Sequence, residues 1–313
     1  MRMLKIVFMG TPKFAVPILE GLIENYKVVG VVSQPDKEVG RHHKLQKTPI
    51  KELAESHDIP VFQPEKIKND NEQIKAWKPD LIVTCAYGQI IPDEILTCAK
   101  YGAINVHASL LPKLRGGAPI HKAIMYGYPE TGITIMRMVK KMDAGDILTQ
   151  KSTIITQDDN LESLSDRLSK IGKELLLDTI PDLIAGKIKP IPQDESEVTY
   201  AYNVTREEEH LDFEHETTLE LWNHIRALDP EIGAYAMLDG NIVKIYKCYR
   251  TDSFYTSKKN GEISRIYKDG FGVSTRDGEI VITEFQPAGK KKMKVKDYFN
   301  GTDANELLGK VFE

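Results

Sequence analysis

Over the first ninety residues, short β-branched runs alternate with amphipathic segments, and this alternation restricts the chain to βαβ units around a parallel sheet. Ile6-Val7-Phe8, Val28 to Val32 and Leu81 to Cys85 read as strands. Between the first two, Phe14, Ile18 and Leu22 recur at helical spacing, and Pro49 opens a second helix running to Ser56. Further strands are expected at Ala103 to Val106, Gly132 to Met138 and Ile147 to Gln150. A long helix should follow from Leu161 to Ile184, its leucines three or four residues apart, until Gly186 stops it. Residues 187 to 206, with Pro190 and Pro192 and little periodicity, have the composition of a linker, which places a domain boundary near 205. One more helix, Leu219 to Leu228, precedes short strands broken by Asp239-Gly240, Lys259-Asn260-Gly261, Asp269-Gly270 and Asp277-Gly278. Turn pairs this close together predict a small antiparallel barrel after a doubly wound α/β domain.

No apolar run approaches the ~20 residues of a membrane span, and the stretch Ile6 to Met9 is too brief for a signal peptide. The chain is therefore expected in the cytoplasm. Cys85, Cys98 and Cys248 have no paired spacing, so they are expected as buried, reduced packing residues. His215-Glu216 lacks the second histidine of a zincin helix, and no catalytic metal is expected. A net charge of −4 does not suit a broad nucleic-acid surface, so any RNA contact must be local. Two segments qualify: Lys37, Arg41, Lys44, Lys47 and Lys51 around Gly40, and Gly289 to Lys296 with five lysines and no acid. The barrel as a whole runs the other way, with 15 Lys/Arg against 20 Asp/Glu over 207–313.

Ligands of open α/β sheets bind outside the carboxyl ends of strands, where Gly10-Thr11-Pro12 follows the first one. That turn has neither the spaced glycines of a dinucleotide site nor the Lys-Ser/Thr of a phosphate loop. In Asn105-Val106-His107 two polar side chains share one face of a strand end. An amide beside an imidazole suits addition to a carbonyl: the amide stabilises an oxyanion and the imidazole holds or moves a proton. Asp143, in Met142-Asp143-Ala144-Gly145-Asp146, belongs on a loop at the same sheet edge, where its carboxylate would orient His107. Taken singly, Asn-x-His and a turn aspartate are weak signals.

Together these residues resemble the folate-dependent formyltransferases, over essentially the whole chain. The resemblance is carried by MRMLKIVFMGTPKFAVPIL, SQPDKEVGRHHKLQKTPIKELA, CAYGQIIP, INVHASLLPKLRGGAPIHKAI, ETGITIMRMVKKMDAGDIL and QPAGKKKMKVKDYF. It implies a Rossmann-like catalytic domain over 1–188, a linker over 189–206 and an OB-like β-barrel that binds tRNA over 207–313. Asn105, His107 and Asp143 would be the catalytic trio. The co-substrate 10-formyltetrahydrofolate would lie against Ala86, Tyr87, Gly88, Gln89, Ile90 and Ile91 and the loop before Asp143, with Ser109, Leu110, Leu111 and Pro112, in the segment that runs on to Gly116, lining the same cavity. Arg41, Lys44 and Lys47 in the basic loop, and Lys290, Lys291 and Lys292 near the end, would grip initiator methionyl-tRNA, whose methionine amine would receive the formyl group. A monomer, with no membrane partner, is expected. The chain departs from the family's usual pattern at Lys113-Leu114, Gly117, Asn203, Phe213 and Asp229 to Gly233, none of them in the trio. A formyltransferase for an amino sugar nucleotide, a formate-releasing folate hydrolase and a non-catalytic RNA-binding module remain as alternatives.

Overall fold

A computed structural model gives the structure of residues 3–39, 44–251 and 258–313. Its contacts divide the chain into two units. The first takes Met1–Pro119, Glu130–Ile154 and Ser165–Tyr202; the second takes Ile120–Pro129, Ile155–Leu164 and Asn203–Glu313.

In chain order the elements begin with β1 (Lys5–Gly10), α1 (Val16–Asn25), β2 (Lys27–Val32), the hairpin β3 (Lys37–Val39) and β4 (Lys44–Gln46), α2 (Pro49–Ser56) and β5 (Val61–Phe62). Then come α3 (Glu72–Ala76), β6 (Leu81–Cys85), α4 (Asp93–Leu96), β7 (Ala103–His107), α5 (Pro119–Met125), β8 (Glu130–Arg137), β9 (Ile147–Ile154) and α6 (Leu161–Ile184). Local chemistry explains several boundaries. Thr48 caps α2 by accepting from the Lys51 N–H, with Pro49 in the first turn where its missing N–H costs nothing. Gly186, at φ 68°, ends the long helix in the left-handed region that glycine enters freely.

The sheet order is β5-β2-β1-β6-β7-β8-β9, parallel from β5 to β7, with β8 and β9 antiparallel at the edge. β6, Leu-Ile-Val-Thr-Cys, is buried at every position, as a central parallel strand covered on both faces requires. After β1 the chain winds outward through β2 and β5, then returns on β1's other side as β6. Between β1 and β6 lies the switch point, where the carboxyl ends of the strands open a ligand crevice.

In the second unit, α7 (Thr218–Leu228) opens with a capping box between Thr217 and Glu220. There follow β10 (Ala234–Leu238), β11 (Asn241–Arg250), β12 (Ile263–Ile266), β13 (Phe271–Ser274), β14 (Glu279–Gln286), β15 (Met293–Lys294) and α8 (Val295–Tyr298). Asp239 and Gly240, both at positive φ, make the tight β10–β11 turn. The antiparallel order is β10-β11-β14-β13-β12. Residues 310–313 join its two ends: Met237 and Glu313 exchange N–H···O=C bonds of 2.7 and 2.9 Å, and Ile263 donates to the Lys310 carbonyl at 2.8 Å. No open edge is left along that seam. Phe213, Phe271, Phe285 and Phe312 fill the interior.

Two expectations change. Cys98 is exposed rather than buried, while Cys85 is buried and Cys248 half-buried. The stretch 189–206 is not a free tether: Ile191 bridges Ile147, and Arg115 donates to the Thr199 carbonyl at 2.9 Å and accepts from Ala201 at 2.7 Å. It is ordered by hydrogen bonds to another segment, for which periodicity gives no signal. Among the described residues no helix is long and apolar enough to cross a membrane, and no cluster of His, Cys, Asp or Glu forms a metal site.

Candidate active site

Three strand ends build the crevice. At the end of β1 the Thr11 hydroxyl donates to the Tyr87 carbonyl (3.0 Å), and past β2 the Gln34 amide donates to the same oxygen (3.0 Å). Ala86, at φ 49°, turns the chain sharply after β6, and Gly88 follows at φ 91°. Gln89 holds the turn by accepting from the Ile67 N–H (2.9 Å) and donating to Gln34 Oε1 (3.2 Å). Tyr87 and Ile91 are buried, whereas Ile90 is 83% exposed, an apolar side chain left open beside the strand ends. Burial pushes the Tyr87 phenol up, and its hydroxyl has no partner among the described residues.

β7 carries Asn105 and His107 two residues apart. Its register sets Asn105 opposite Thr84 of β6, whose hydroxyl donates to Asn105 Oδ1 at 2.8 Å. With the oxygen so engaged, Nδ2 is the free end, and it has no acceptor among the described residues. His107 is buried, its Nε2 3.0 Å from the Leu114 carbonyl. A carbonyl only accepts, so Nε2 carries the proton and Nδ1 is left for chemistry. Asp143 Oδ1 lies 3.7 Å from Nδ1, near enough to stabilise charge on the ring but too far for a hydrogen bond. Its Oδ2 accepts from the Gly116 N–H at 2.8 Å. Ser109 to Pro112 continue directly from β7: the Ser109 hydroxyl donates to the Lys113 carbonyl, and Leu111 N–H to Thr134 Oγ1.

A buried arginine ties the groups together. Arg115, with no exposed surface, donates to Gln193 Oε1 (3.0 and 2.8 Å) and to Glu195 (2.9 Å). Gln193 in turn donates from Nε2 to the carbonyls of Asp143 (2.8 Å) and Gly145 (2.7 Å). Arg115 also stands in the chain between Leu114, which meets His107, and Gly116, which meets Asp143. Leu114 and Asp143 both adopt positive φ (61° and 49°), strained backbone that such a network can hold in place. Gln193→Glu should keep the Arg115 contact but replace the donor to both carbonyls with an acceptor. We expect turnover to fall by about 10-fold or more, within the loss that small misplacements of reacting groups produce. Wild-type kinetics in the folded variant would show that the Asp143 loop needs no such support.

The structure thus brings Asn105, His107 and Asp143 together beside the 86–91 and 109–112 segments. The basic residues are more scattered. Arg41 lies outside the described residues. Lys44 starts β4, and Lys47 is half-exposed and paired with Glu55 at 2.6 Å. Lys290 to Lys292 belong to the second unit: Lys290 sits over the Tyr298 ring (4.6 Å), and Lys292 over Tyr246 (3.9 Å) and against Asp229 (3.4 Å). Lys291 is exposed. Sequence reasoning missed Thr84 and Gln193, and, within the 109–116 segment, the contacts that the Leu114 carbonyl and the Gly116 N–H make. Only Thr84 left a trace, as the one hydroxyl in an otherwise apolar strand.

The formyl transferase family model matches residues 4–180, and that of the formyl transferase C-terminal domain matches 203–303. The methionyl-tRNA formyltransferase of Bacillus thuringiensis subsp. konkukian is 53% identical over 96% of both chains. Among solved structures, HypX from Aquifex aeolicus in complex with tetrahydrofolic acid matches 96% of this chain at 19% identity and a TM-score of 0.65. The chain spans about half the length of that protein (47%). An N-formyltransferase from Helicobacter canadensis, in complex with folinic acid and dTDP-3-aminofucose, matches 90% of this chain and 99% of its own at 21% identity and a TM-score of 0.66. At such identities the two structures speak for the fold alone. The chain belongs to the formyl transferase family, among the methionyl-tRNA formyltransferases.

Proposed function

We propose that this protein transfers the formyl group of 10-formyltetrahydrofolate to the methionine amine of initiator methionyl-tRNA, acting as a monomer in the cytoplasm. The observation that carries this reading is the end-to-end 53% identity to a methionyl-tRNA formyltransferase. The amine attacks the formyl carbon, giving a tetrahedral centre with charge on oxygen. Asn105 stabilises that oxyanion through Nδ2; His107 Nδ1 takes the proton the amine sheds, and the imidazolium so formed, its charge supported by Asp143, adds to that stabilisation before passing the proton on. The C–N10 bond then breaks; the proton shed by the amine ends on N10, and the products are formylmethionyl-tRNA and tetrahydrofolate. Ala86 to Ile91 would hold the pterin, and Ser109 to Pro112 the opposite wall.

The experiment is formylation of methionyl initiator tRNA from 10-formyltetrahydrofolate, read by mass spectrometry, with elongator methionyl-tRNA as comparison. Product on the initiator and little on the elongator supports both donor and acceptor. A folded, folate-binding protein that makes no formylmethionine moves the acceptor to an amino sugar nucleotide, and formate release without an acceptor makes it a hydrolase.

For tRNA we propose Arg41, Lys44, Lys47, Lys290, Lys291 and Lys292 as phosphate contacts, of unequal weight. No acidic side chain among the described residues engages Lys291, whereas Lys292 already pairs with Asp229 and Glu284. Lys291→Ala should lower the slope of log K against log salt by about one, and Lys292→Ala by less. Equal slopes for wild type and Lys291→Ala in tRNA-binding titrations would remove the cluster from the interface.

A further inference from the structure

Beside the candidate trio, one extended segment carries two aromatic rings in the open. Tyr200 bridges Arg115 in parallel register, and the strand is fastened by the Arg115-to-Thr199, Ala201-to-Arg115 and Ala118-to-Ala201 backbone bonds (2.9, 2.7 and 3.0 Å). The Thr199 hydroxyl accepts from the Leu114 N–H at 2.9 Å, and Ala201 is fully buried. By the two-residue period of an extended chain, Tyr200 and Tyr202 stand on the other side. They are 42% and 63% exposed, and their rings are parallel to within 1° with centroids 5.4 Å apart. Neither hydroxyl has a hydrogen-bond partner among the described residues. Two large rings held stacked at the surface by a strand zipped into the protein form a platform with little left to lose in entropy on binding.

Position says what such a platform would meet. Arg115, the bridge partner of Tyr200, is flanked by Leu114 and Gly116, which contact His107 and Asp143. Paired strands lie roughly 5 Å apart, so the tyrosine backbone is one strand removed from the groups proposed to perform the transfer. The amine to be formylated is esterified to the last nucleotide of an unpaired RNA end. Bases within a few nucleotides of the amine must therefore pass close to this wall. Charge cannot supply all of the grip there: of the cations beside the segment, Lys141 is paired with Glu195 at 2.7 Å and Arg115 has no exposed surface, and the chain as a whole is acidic. Stacking needs no charge and accepts any base, because every base has a π-face.

We propose that Tyr200 and Tyr202 form a nucleobase-stacking subsite for the unpaired 3′ end of the aminoacyl-tRNA. The subsite rests on the reading of the acceptor as methionyl-tRNA. It assigns the exposed tyrosines to binding rather than chemistry, so their loss should appear in KM for tRNA.

The test compares Tyr200→Leu/Tyr202→Leu with Tyr200→Phe/Tyr202→Phe. Formylation kinetics are joined by direct binding of intact initiator tRNA and of the same tRNA trimmed of its unpaired 3′ nucleotides. Stacking contributions of this kind correspond to about 5- to 100-fold in affinity per base. The leucine variant should raise KM and Kd for intact tRNA by about 10-fold or more, with the loss concentrated in KM and the KM for 10-formyltetrahydrofolate unmoved. The phenylalanine variant should bind like wild type, and trimmed tRNA should bind leucine and wild-type proteins alike. Unchanged affinity of the leucine variant for intact tRNA, or an equal loss with trimmed tRNA, overturns the subsite. A wild-type protein that does not formylate methionyl-tRNA overturns the acceptor assignment instead, and the subsite with it.

Discussion

Asn105→Ala is expected to lower turnover by roughly 10² to 10³, the usual cost of losing one oxyanion donor. The fold should survive it. Asn105 is only partly buried, and its backbone pairing with Thr84 of β6 and Met136 of β8 does not involve the amide. What disappears is an N–H pair whose direction is set by a single bond, Thr84 Oγ1 to Oδ1 at 2.8 Å. Thr84→Val, which keeps the shape and removes the donor, should therefore reproduce a smaller part of the same loss. Single-turnover rates at saturating co-substrates, with circular dichroism as the folding control, distinguish the cases. A folded Asn105→Ala protein with near-normal rates would remove this residue from the oxyanion site.

Gly145→Ala should cost a comparable amount through geometry alone. A Cβ on Gly145 would lie 1.9 Å from the Arg137 carbonyl oxygen, backbone that cannot rotate aside. The loop must move, and with it Asp143, two residues earlier, whose carbonyl shares the Gln193 clamp with that of Gly145. A displacement near 1 Å at such a site is enough for about 10²-fold in rate, and forcing a methyl into filled space destabilises by about 1–3 kcal/mol. Both kcat and the urea midpoint should fall. If kcat holds while the midpoint drops, the position of Asp143 does not matter to the transfer.

Legibility followed the physical origin of each feature. Pro49–Ser56, Leu81–Cys85 and Leu161–Ile184 were readable to the residue because a proline at the helix start, a continuous apolar run and a sustained helical period marked them. The three-residue strands β3 and β4 and the two-residue β5 contain too few side chains to show a period. At the candidate site, Asn105 and His107 shared a strand face by simple alternation. Asp143 was read beside them, but the groups that hold His107 and Asp143 in place could not be. The Leu114 carbonyl and the Gly116 N–H are backbone groups that every residue possesses, and only the turn between them, with Leu114 at φ 61° and Gly116 at φ 124°, aims them at the imidazole and the carboxylate. Gln193 was hidden for another reason: its segment is ordered by hydrogen bonds to distant residues, so its local composition reads as a linker.

The seam that closes the barrel also sets a schedule for the nascent chain. All seven strands of the first sheet have been made once residue 154 is added, but in the barrel the Leu211 N–H meets only the Tyr235 carbonyl of β10's outer edge, and Met237 must wait for Glu313. At ordinary elongation rates of about 5–20 residues per second that interval lasts roughly 4 to 14 s. During it, the outward N–H and carbonyl groups of Met237 on β10 and Ile263 on β12 are open to any neighbouring chain. Slow decoding between codons 240 and 310 would prolong the exposure and favour aggregation, even though the finished barrel leaves no such edge along its seam.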